Sequence, residues 1–540
     1  MVQVRGLSVS YSANGRTIQA VEALDLDVER GSICAIVGPS GCGKTSVVKA
    51  LAGLLPPGGG QILVDGAPVI PGLTRAGTSV VFQDFGLLPW KTVEGNAELP
   101  LLVRGVGKRE RAARAASVLG ELGLADFRRF YPSQLSGGMK QRLAIARALV
   151  TEPDLLLMDE PFSSVDALTR ESLQDNLRDA VARHGVTVLL VTHSIEEAAY
   201  LADRAYVMAG RVPGRMVARF EGGRDIAAVG QGISPGGRVA GLPQEPSEGL
   251  SSAPAPQGMP ADDGGGGYRD SPGFHVLARK LRNALNAGAD RKPTTLEQVR
   301  PGLPWKAGLG SALGAAAATG AFLGLWALAA LYLRKPFLPG PAKAIHAFMA
   351  GLADGSLTVH TLASARRIGL AMLLGAPGAA ALGLACGRVR TLDALLSPAI
   401  YLFYPLPKIA FLPVIMLLMG LGDASKIAVI VLIVASQVLV NARDAGKAVA
   451  EGYFDSARAM GAGALGRLRH VLVPASMPAL LSALRVSLGT ATAVLFFAET
   501  FATEEGLGWY IMDAWARVDY PDMFAAIRAL SLFGLACFAL

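Results

Sequence analysis

Cysteine is nearly absent from this 540-residue chain: Cys34, Cys42, Cys386 and Cys537 are the whole complement. No two of them form a CxxC pair, which argues against a disulfide-stapled scaffold and against a cysteine-held metal. The opening residues, MVQVRGLSVSY, lack the basic-then-apolar pattern of a leader, so the N-terminal part is expected to stay inside the cell. No internal repeat of roughly 20–50 residues is apparent. Charge is sparse at 17% of residues, and acidic groups are the minority, 43 against 51 Lys plus Arg, for a net charge of +8. That excess does not read as a nucleic-acid footprint. Seven Lys or Arg fall between Arg279 and Lys306, immediately before a long apolar run. Such placement suits an anionic cytoplasmic membrane face, and no nucleic-acid partner is expected.

What is abundant is apolar surface, 51% of residues, and it is unevenly spread. Residues 1–221 alternate short β-branched runs with helical stretches: SICAIVG (32–38), DLLLMD (154–159) and VTVLLVTH (186–193) read as strands covered on both faces. The pattern predicts an α/β domain. Over 222–272, 20 of 51 residues are Gly or Pro, too little apolar surface to offset chain entropy, so a disordered linker is expected. Residues 273–304 are expected to hold a helix packed on the first domain (FHVLARKLRNALNA, 274–287) and a basic connector. From 305 to 540 an all-α polytopic membrane domain is expected, with about six spans near 309–333, 368–387, 403–420, 424–441, 479–502 and 522–540. The loop 442–475 carries Arg443, Lys447, Arg458, Arg467 and Arg469 and is therefore cytoplasmic. Counting spans from an internal first domain gives the same side.

Residues 38–45 read GPSGCGKT, after an apolar strand and before a helical stretch, the context a phosphate-binding loop requires. Gly38, Gly41 and Gly43 let the loop Gly38–Pro39–Ser40–Gly41–Cys42–Gly43 curl so that its amide N–H groups, which Pro39 lacks, face phosphates at a helix N-terminus. Lys44 is expected on the β- and γ-phosphates and Thr45 on Mg²⁺. In LLLMDE (155–160), Asp159 is the expected second Mg²⁺ contact, and Glu160 the base that polarises water. ATP and Mg²⁺ are the cofactors implied.

Between them stands LSGGMKQR (135–142). Here the chain resembles the ATP-binding cassette family, and the likeness extends over nearly all of the first domain. It implies that Tyr11 stacks on adenine, that Gln83 contacts Mg²⁺ and water, and that His193 meets the γ-phosphate. It also implies that Asp166 lies in a loop exchanged between subunits, although Val165 replaces the usual leucine. Ser136, Gly137 and Gly138 are implied to cap nucleotide held by a second copy, which implies a homodimer.

Residues 455–474, DSARAMGAGALGRLRHVLVP, resemble the E-A-A-x-x-x-G-x(9)-I-x-L-P docking loop of bacterial importers of this family. Ala457, Gly461 and Pro474 are in register, whereas Asp455, Ser456, Val471 and Val473 depart from the pattern. A side chain at Gly461 is expected to hinder docking. LLPWKTVEGNAELP (87–100), DEPFSSVDALTRESLQ (159–174), PLPKIAFLPVIMLLMGLGDASK (405–426) and GLGWYIMDA (506–514) look like the nitrate, sulfonate and taurine importers. The resemblance implies a multi-pass bacterial inner-membrane transporter, with its ATPase in the cytoplasm, that takes a small anion from an extracytoplasmic binding protein. Sulfonate or taurine is the first expectation, with nitrate, cyanate and bicarbonate next. A thiamine-precursor pyrimidine or aromatic acid, or a sensory membrane ATPase, stays open. Fusion in one chain and the long linker depart from the family's habit, and a basic tail is expected beyond Leu540. Pro405, Pro407 and Pro413 would interrupt the third span, either bending it or exposing backbone to a path. Glu499 and Arg528 are acids and bases in apolar runs without an assigned role.

Overall fold

The computed structural model describes residues 1–13, 16–163, 167–210, 212–221, 309–501 and 503–539. The expected linker, the helix at 274–287, the basic connector and Asp166 lie outside them. The chain divides into two compact units, Met1–Thr294 with Ala450–Val471, and Thr295–Val449 with Leu472–Leu540.

The first unit runs β1 (Val2–Ala13), β2 (Arg16–Val28), β3 (Ile33–Val37), α1 (Lys44–Leu51), β4 (Gly59–Val64), β5 (Ala67–Pro68), β6 (Thr78–Val81), α2 (Val93–Val103), α3 (Lys108–Glu121), α4 (Gly137–Leu149), β7 (Leu155–Asp159), α5 (Ala167–His184), β8 (Thr187–Thr192), α6 (Ile195–Leu201), β9 (Arg204–Ala209) and β10 (Arg215–Glu221). An antiparallel sheet has the order β2-β1-β4-β5, and a second sheet the order β10-β9-β3-β8-β7-β6. In the second, β6, β7, β8, β3 and β9 are parallel. β3 is apolar throughout, and the middles of β7 and β8 are too, because both faces are covered. Ala35, Val37, Leu156, Met158 and Leu190 face a core shared with α2, α4 and α6. Cys34, Ile36, Leu155, Leu157 and Leu189 face a second core closed by α1 and the antiparallel sheet. Period-2 alternation decides which side each residue joins.

The second unit contains α7 (Leu309–Leu333), α8 (Pro341–Ala353), α9 (Ser356–Arg388), α10 (Arg390–Phe403), α11 (Leu412–Met419) and α12 (Asp423–Ala448). The loop segment α13 (Glu451–Ala459) and α14 (Ala464–Arg467) belongs to the first unit. α15 (Val473–Glu499), α16 (Leu507–Ala516) and α17 (Tyr520–Ala539) complete the chain's elements. Among the described residues four helices are long and apolar enough to cross a membrane, or five if one bent pair counts as a span. Six had been expected. The difference lies in two places. The segment near 403–420 is broken after Phe403 and bends by 80°, because Pro405 and Pro407 cannot continue the hydrogen-bond ladder. Pro413 sits harmlessly in the first turn of α11. In α7 the apolar described stretch is only Ala317–Leu333.

Helices α9, α12 and α15 pack through Ile368, Ala371, Ile430, Val434, Val438, Ala491 and Leu495. Small residues set the approach: a Cβ on Gly387 would stand 2.6 Å from the Arg443 carbonyl oxygen, so only glycine lets α9 and α12 come this close. Glu499, at the end of α15, is fully buried. Its carboxylate meets Arg367 Nη1 at 2.6 Å and accepts from Ser364 Oγ at 2.9 Å and from the Gly508 amide at 2.9 Å. Arg367 also reaches Asp423 Oδ1 at 2.7 Å and the Glu505 carbonyl at 2.9 Å. Gly506 lies at φ +116°, and a Cβ there would run into the Glu499 carboxyl and Arg367. Arg528 lies over the Phe348 ring, 5.2 Å from its centre.

Gly506→Ala is therefore expected to destabilise the membrane unit by about 1–3 kcal/mol. Gly489→Ala, where a Cβ meets nothing within 4 Å, should leave stability unchanged or raise it. Thermal unfolding of the two purified variants checks the contrast; equal midpoints would refute it.

Candidate functional site

Four neighbouring parallel strands, β3, β8, β7 and β6, each deliver one chemical group just beyond their carboxyl ends. β3 runs into the loop GPSGCGKT, β8 into His193, β7 into Asp159 and Glu160, and β6 into Phe82 and Gln83. Parallel strands point their ends the same way, so the groups meet along one edge.

The phosphate loop closes before α1. Gly43 adopts φ +99°, and a Cβ there would sit 2.6 Å from the Ala20 carbonyl oxygen, which makes glycine obligatory. Lys44 is buried, and its ammonium donates to the carbonyls of Gly38 and Pro39, both at 2.9 Å. The side chain thereby arches over its own loop, and Glu160 Oε1 lies 3.7 Å away.

Glu160 collects the other predicted residues. Its φ of +45° and its amide bond to Val191 O at 2.8 Å set the direction of the side chain. Gln83 Nε2 donates to Glu160 Oε2 at 3.1 Å, and His193 Nδ1 stands 3.2 Å from the same oxygen. Asp159 is buried beside it and is hydrogen-bonded to Thr45. Burial pushes the Asp159 carboxyl up, against the opposing pull of Thr45 and Lys44. Asp159 Oδ1 is buried without a hydrogen-bond partner. An orphaned carboxylate oxygen beside a threonine hydroxyl fits a hard divalent cation.

Tyr11 OH pairs with Ser46 Oγ at 3.0 Å, and its ring is exposed. Ser136 caps α4, accepting from the Met139 amide at 3.3 Å. Among the described residues, no hydrogen bond or ion pair joins Ser136, Gly137 or Gly138 to Lys44, Thr45, Asp159 or Glu160. The signature is thus separate from the cluster.

The segment 450–471 adds contacts that sequence reasoning missed. Lys49, on α1, bonds Asp455 Oδ2 at 2.8 Å. Burial pulls the Lys49 ammonium down, but the Asp455 pair outweighs it and holds the ammonium above its ordinary value. Ser456 Oγ donates to the Gly86 carbonyl at 3.0 Å, Thr74 Oγ1 donates to the Arg458 carbonyl at 3.0 Å, and Trp90 Nε1 to the His470 carbonyl at 3.1 Å. Gly461 takes φ +87°, but a Cβ there meets nothing within 4 Å. The left-handed backbone fits the turn between two helices expected of Gly461, and the clearance is that of a single Cβ only. Arg147, buried in α4, donates to the carbonyls of Phe85 and Gly86 at 2.6 Å each. Burial pulls its guanidinium down to about 10. An arginine inside the apolar stretch LAIARAL (143–149) was the signal available.

Fold and cluster together define a phosphate-loop ATPase on the same chain as a polytopic helical unit. Residues 21–163 match the family model for the ABC transporter ATPase. Residues 379–540 match that for the inner membrane component of binding-protein-dependent transport systems. A taurine import ATP-binding protein of Rhizobium johnstonii is 48% identical over 41% of this chain and 84% of its own length. Its counterpart in Burkholderia pseudomallei is 45% identical over 39% of this chain and 81% of its own. A solved dimeric ATP-binding cassette in a post-hydrolysis state with ADP and Pi is 30% identical, covering 41% of this chain and 98% of that chain, with a TM-score of 0.38. The chain belongs to the ATP-binding cassette transporter family: it is an ATP-hydrolysing importer that carries ATPase and membrane component in one polypeptide.

The Lys49–Asp455 pair is expected to hold α13 in place. Asp455→Lys should set two cations against each other and lower ATP turnover of the full-length transporter in lipid nanodiscs. Adding Lys49→Asp should restore most of it. If the swapped double variant is as impaired as the worse single, the pair is not the attachment.

Proposed function

We propose that the chain drives inward transport of a small sulfonate, taurine first, with nitrate, cyanate and bicarbonate as weaker candidates, and that an external binding protein delivers the solute. The observation that carries this reading is the 48% identity of the ATPase unit to a taurine import ATP-binding protein. Beside it stand the GLGWYIMDA and PLPKIAFLPV segments of the membrane unit. Two copies assemble in the bacterial inner membrane with their ATPase units in the cytoplasm. Each copy's Ser136–Gly138 covers nucleotide held by the other's phosphate loop. That arrangement accounts for a signature with no bond to its own cluster.

The chemistry follows from the geometry. The N–H groups of the loop 38–43, Pro39 excepted, and Lys44 hold the β- and γ-phosphates, and the exposed Tyr11 ring offers adenine a face. Thr45, Asp159 and Gln83 would hold Mg²⁺, which supplies charge neutralisation at the transferring phosphoryl group when bound. Asp166 belongs to the exchanged loop. Glu160 accepts the proton of the attacking water. Gln83 and His193, both on Oε2, fix that carboxylate so that Oε1 remains for the water, and His193 lies at the γ-phosphate.

Glu160→Gln should keep ATP binding and lower turnover by at least about 10²-fold, accumulating an ATP-bound dimer visible by size-exclusion chromatography. Normal hydrolysis would remove Glu160 from the role of base. The solute is tested on the external binding protein that restores uptake by this transporter: taurine and other sulfonates should raise its melting temperature. A rise with pyrimidines alone would overturn the substrate assignment.

A further inference from the structure

Three groups converge on the short segment Gln83–Asp84–Phe85–Gly86, and they come from three different places. At its start, Gln83 Nε2 is bonded to Glu160. At its end, the guanidinium of Arg147 forks across two successive carbonyls, Phe85 and Gly86, at 2.6 Å each. The Gly86 carbonyl is shared, because Ser456 Oγ of α13 donates to it as well, at 3.0 Å. Both residues of the fork sit in the left-handed region, Phe85 at φ +62° and Gly86 at φ +53°. For phenylalanine that conformation costs energy and persists only when its surroundings hold it.

Arg147 is 3% exposed. None of the ion pairs formed among the described residues includes it. A buried guanidinium with no carboxylate in contact is costly unless its donors are used, and here they are used on this backbone. Arg147 also lies near the end of α4, whose other end is the signature Ser136–Gly137–Gly138. At 1.5 Å per residue the helix of 13 residues spans about 20 Å. One rigid element therefore joins the signature to the peptide that α13 holds.

We propose that Arg147 is a positioning residue. By sharing the Gly86 carbonyl with Ser456, it ties the docking segment, the glutamine that orients Glu160, and the signature helix into one unit that moves together. The inference rests on the reading of Glu160 as base and goes beyond it, since it assigns a role to a side chain that touches neither nucleotide nor solute. A carbonyl oxygen has two lone pairs, so both donors are accommodated at once. When Ser456 leaves or shifts, Arg147 alone sets the Gly86 carbonyl, and the direction of Gln83 changes with it. Lysine at 147 keeps the charge but cannot fork across two carbonyls.

The test is a double-mutant cycle on the full-length chain in nanodiscs, with Arg147→Lys, Ser456→Ala and the double variant. Each single should lower kcat for ATP about three- to tenfold, the range one neutral hydrogen bond supports, with KM for ATP and the melting temperature unchanged. The double should be no worse than the more severe single, and Ser456→Thr, which keeps the hydroxyl, should recover turnover. Independent, multiplicative losses would overturn the proposal. So would a raised KM at constant kcat, or a fall in melting temperature that accounts for the lost activity. Should Arg147→Lys fail to fold, the Ser456→Ala and Ser456→Thr pair decides alone: equal turnover in both overturns it. Multiplicative losses together with an inactive Glu160→Gln would leave the ATPase reading intact and remove only the positioning role.

Discussion

The carboxylate of Glu160 is the point on which the ATPase unit is organised. Its backbone leaves β7 at φ +45° and is bonded back to Val191 of the next strand, so the side chain cannot follow the strand outward. Once it is turned this way, three other segments reach it: the phosphate loop through Lys44, the end of β6 through Gln83, and the end of β8 through His193. None of these residues is near another in sequence. They meet because β3, β8, β7 and β6 are adjacent and parallel, and a parallel sheet gathers its strand ends on one edge. Strain at residue 160 is compatible with function because a dry, fully packed sheet on both faces holds it.

The same cluster is also incomplete. It has an arched lysine, a fixed carboxylate and a buried Asp159 oxygen without a partner, yet among the described residues the hydrogen bond of the Ser136 side chain stays within its own helix turn. On the proposed reading the chain builds half of a nucleotide enclosure and presents the other half elsewhere, which gives it a geometric reason to pair with a copy of itself. Under the proposed dimer, the position of α4 matters twice, at its first turn for the copy's nucleotide and near its last turn for its own Gln83 segment. That double duty is why a fully buried arginine is tolerated in a helix that alanine and leucine would otherwise pack without cost.

What could be read in advance, and what could not, divides by the range of the interaction. β3, β7, β8 and α1 were legible because they are local: short apolar runs bounded by turn residues, and glycines spaced for a loop. Glu160 was legible as the acid after an apolar strand beside a phosphate loop, whereas Gln83 and His193 were legible only through resemblance, since nothing in the spacing of 83, 160 and 193 says that their strands are neighbours. Lys49–Asp455 and Arg147 with Phe85 and Gly86 escaped notice because each looks ordinary at home. Lys49 reads as a helix charge and Arg147 as one of many basic residues, and their partners lie 61 to 406 residues away. Among the described residues four or five helices qualify as spans against the six expected, and part of that difference has another cause. Hydropathy sums composition and is blind to direction, so the Pro405 and Pro407 break could be seen but its 80° bend could not.

The membrane unit repeats this theme with opposite chemistry. Glu499, left without a role by its sequence, is buried against Arg367, Ser364 and the Gly508 amide, and Arg367 continues to Asp423 and to the Glu505 carbonyl. Leu507 and Gly506 add their amides to Ser364 and His360. The glycines of GLGWY are thereby explained from below: a Cβ at 506 would run into the Glu499 carboxyl and Arg367, and one at 508 into the Phe496 backbone, so glycine at 508 brings its amide within bonding distance of the carboxylate. A buried ion pair contributes little net stability, but losing one partner costs about 3–5 kcal/mol. The arrangement is therefore intolerant of change without being especially strong. It fixes where the chain between α15 and α16 must run, just as Arg147 fixes where the chain between β6 and α2 must run. In both units an arginine holds backbone in a course that local propensity alone would not choose.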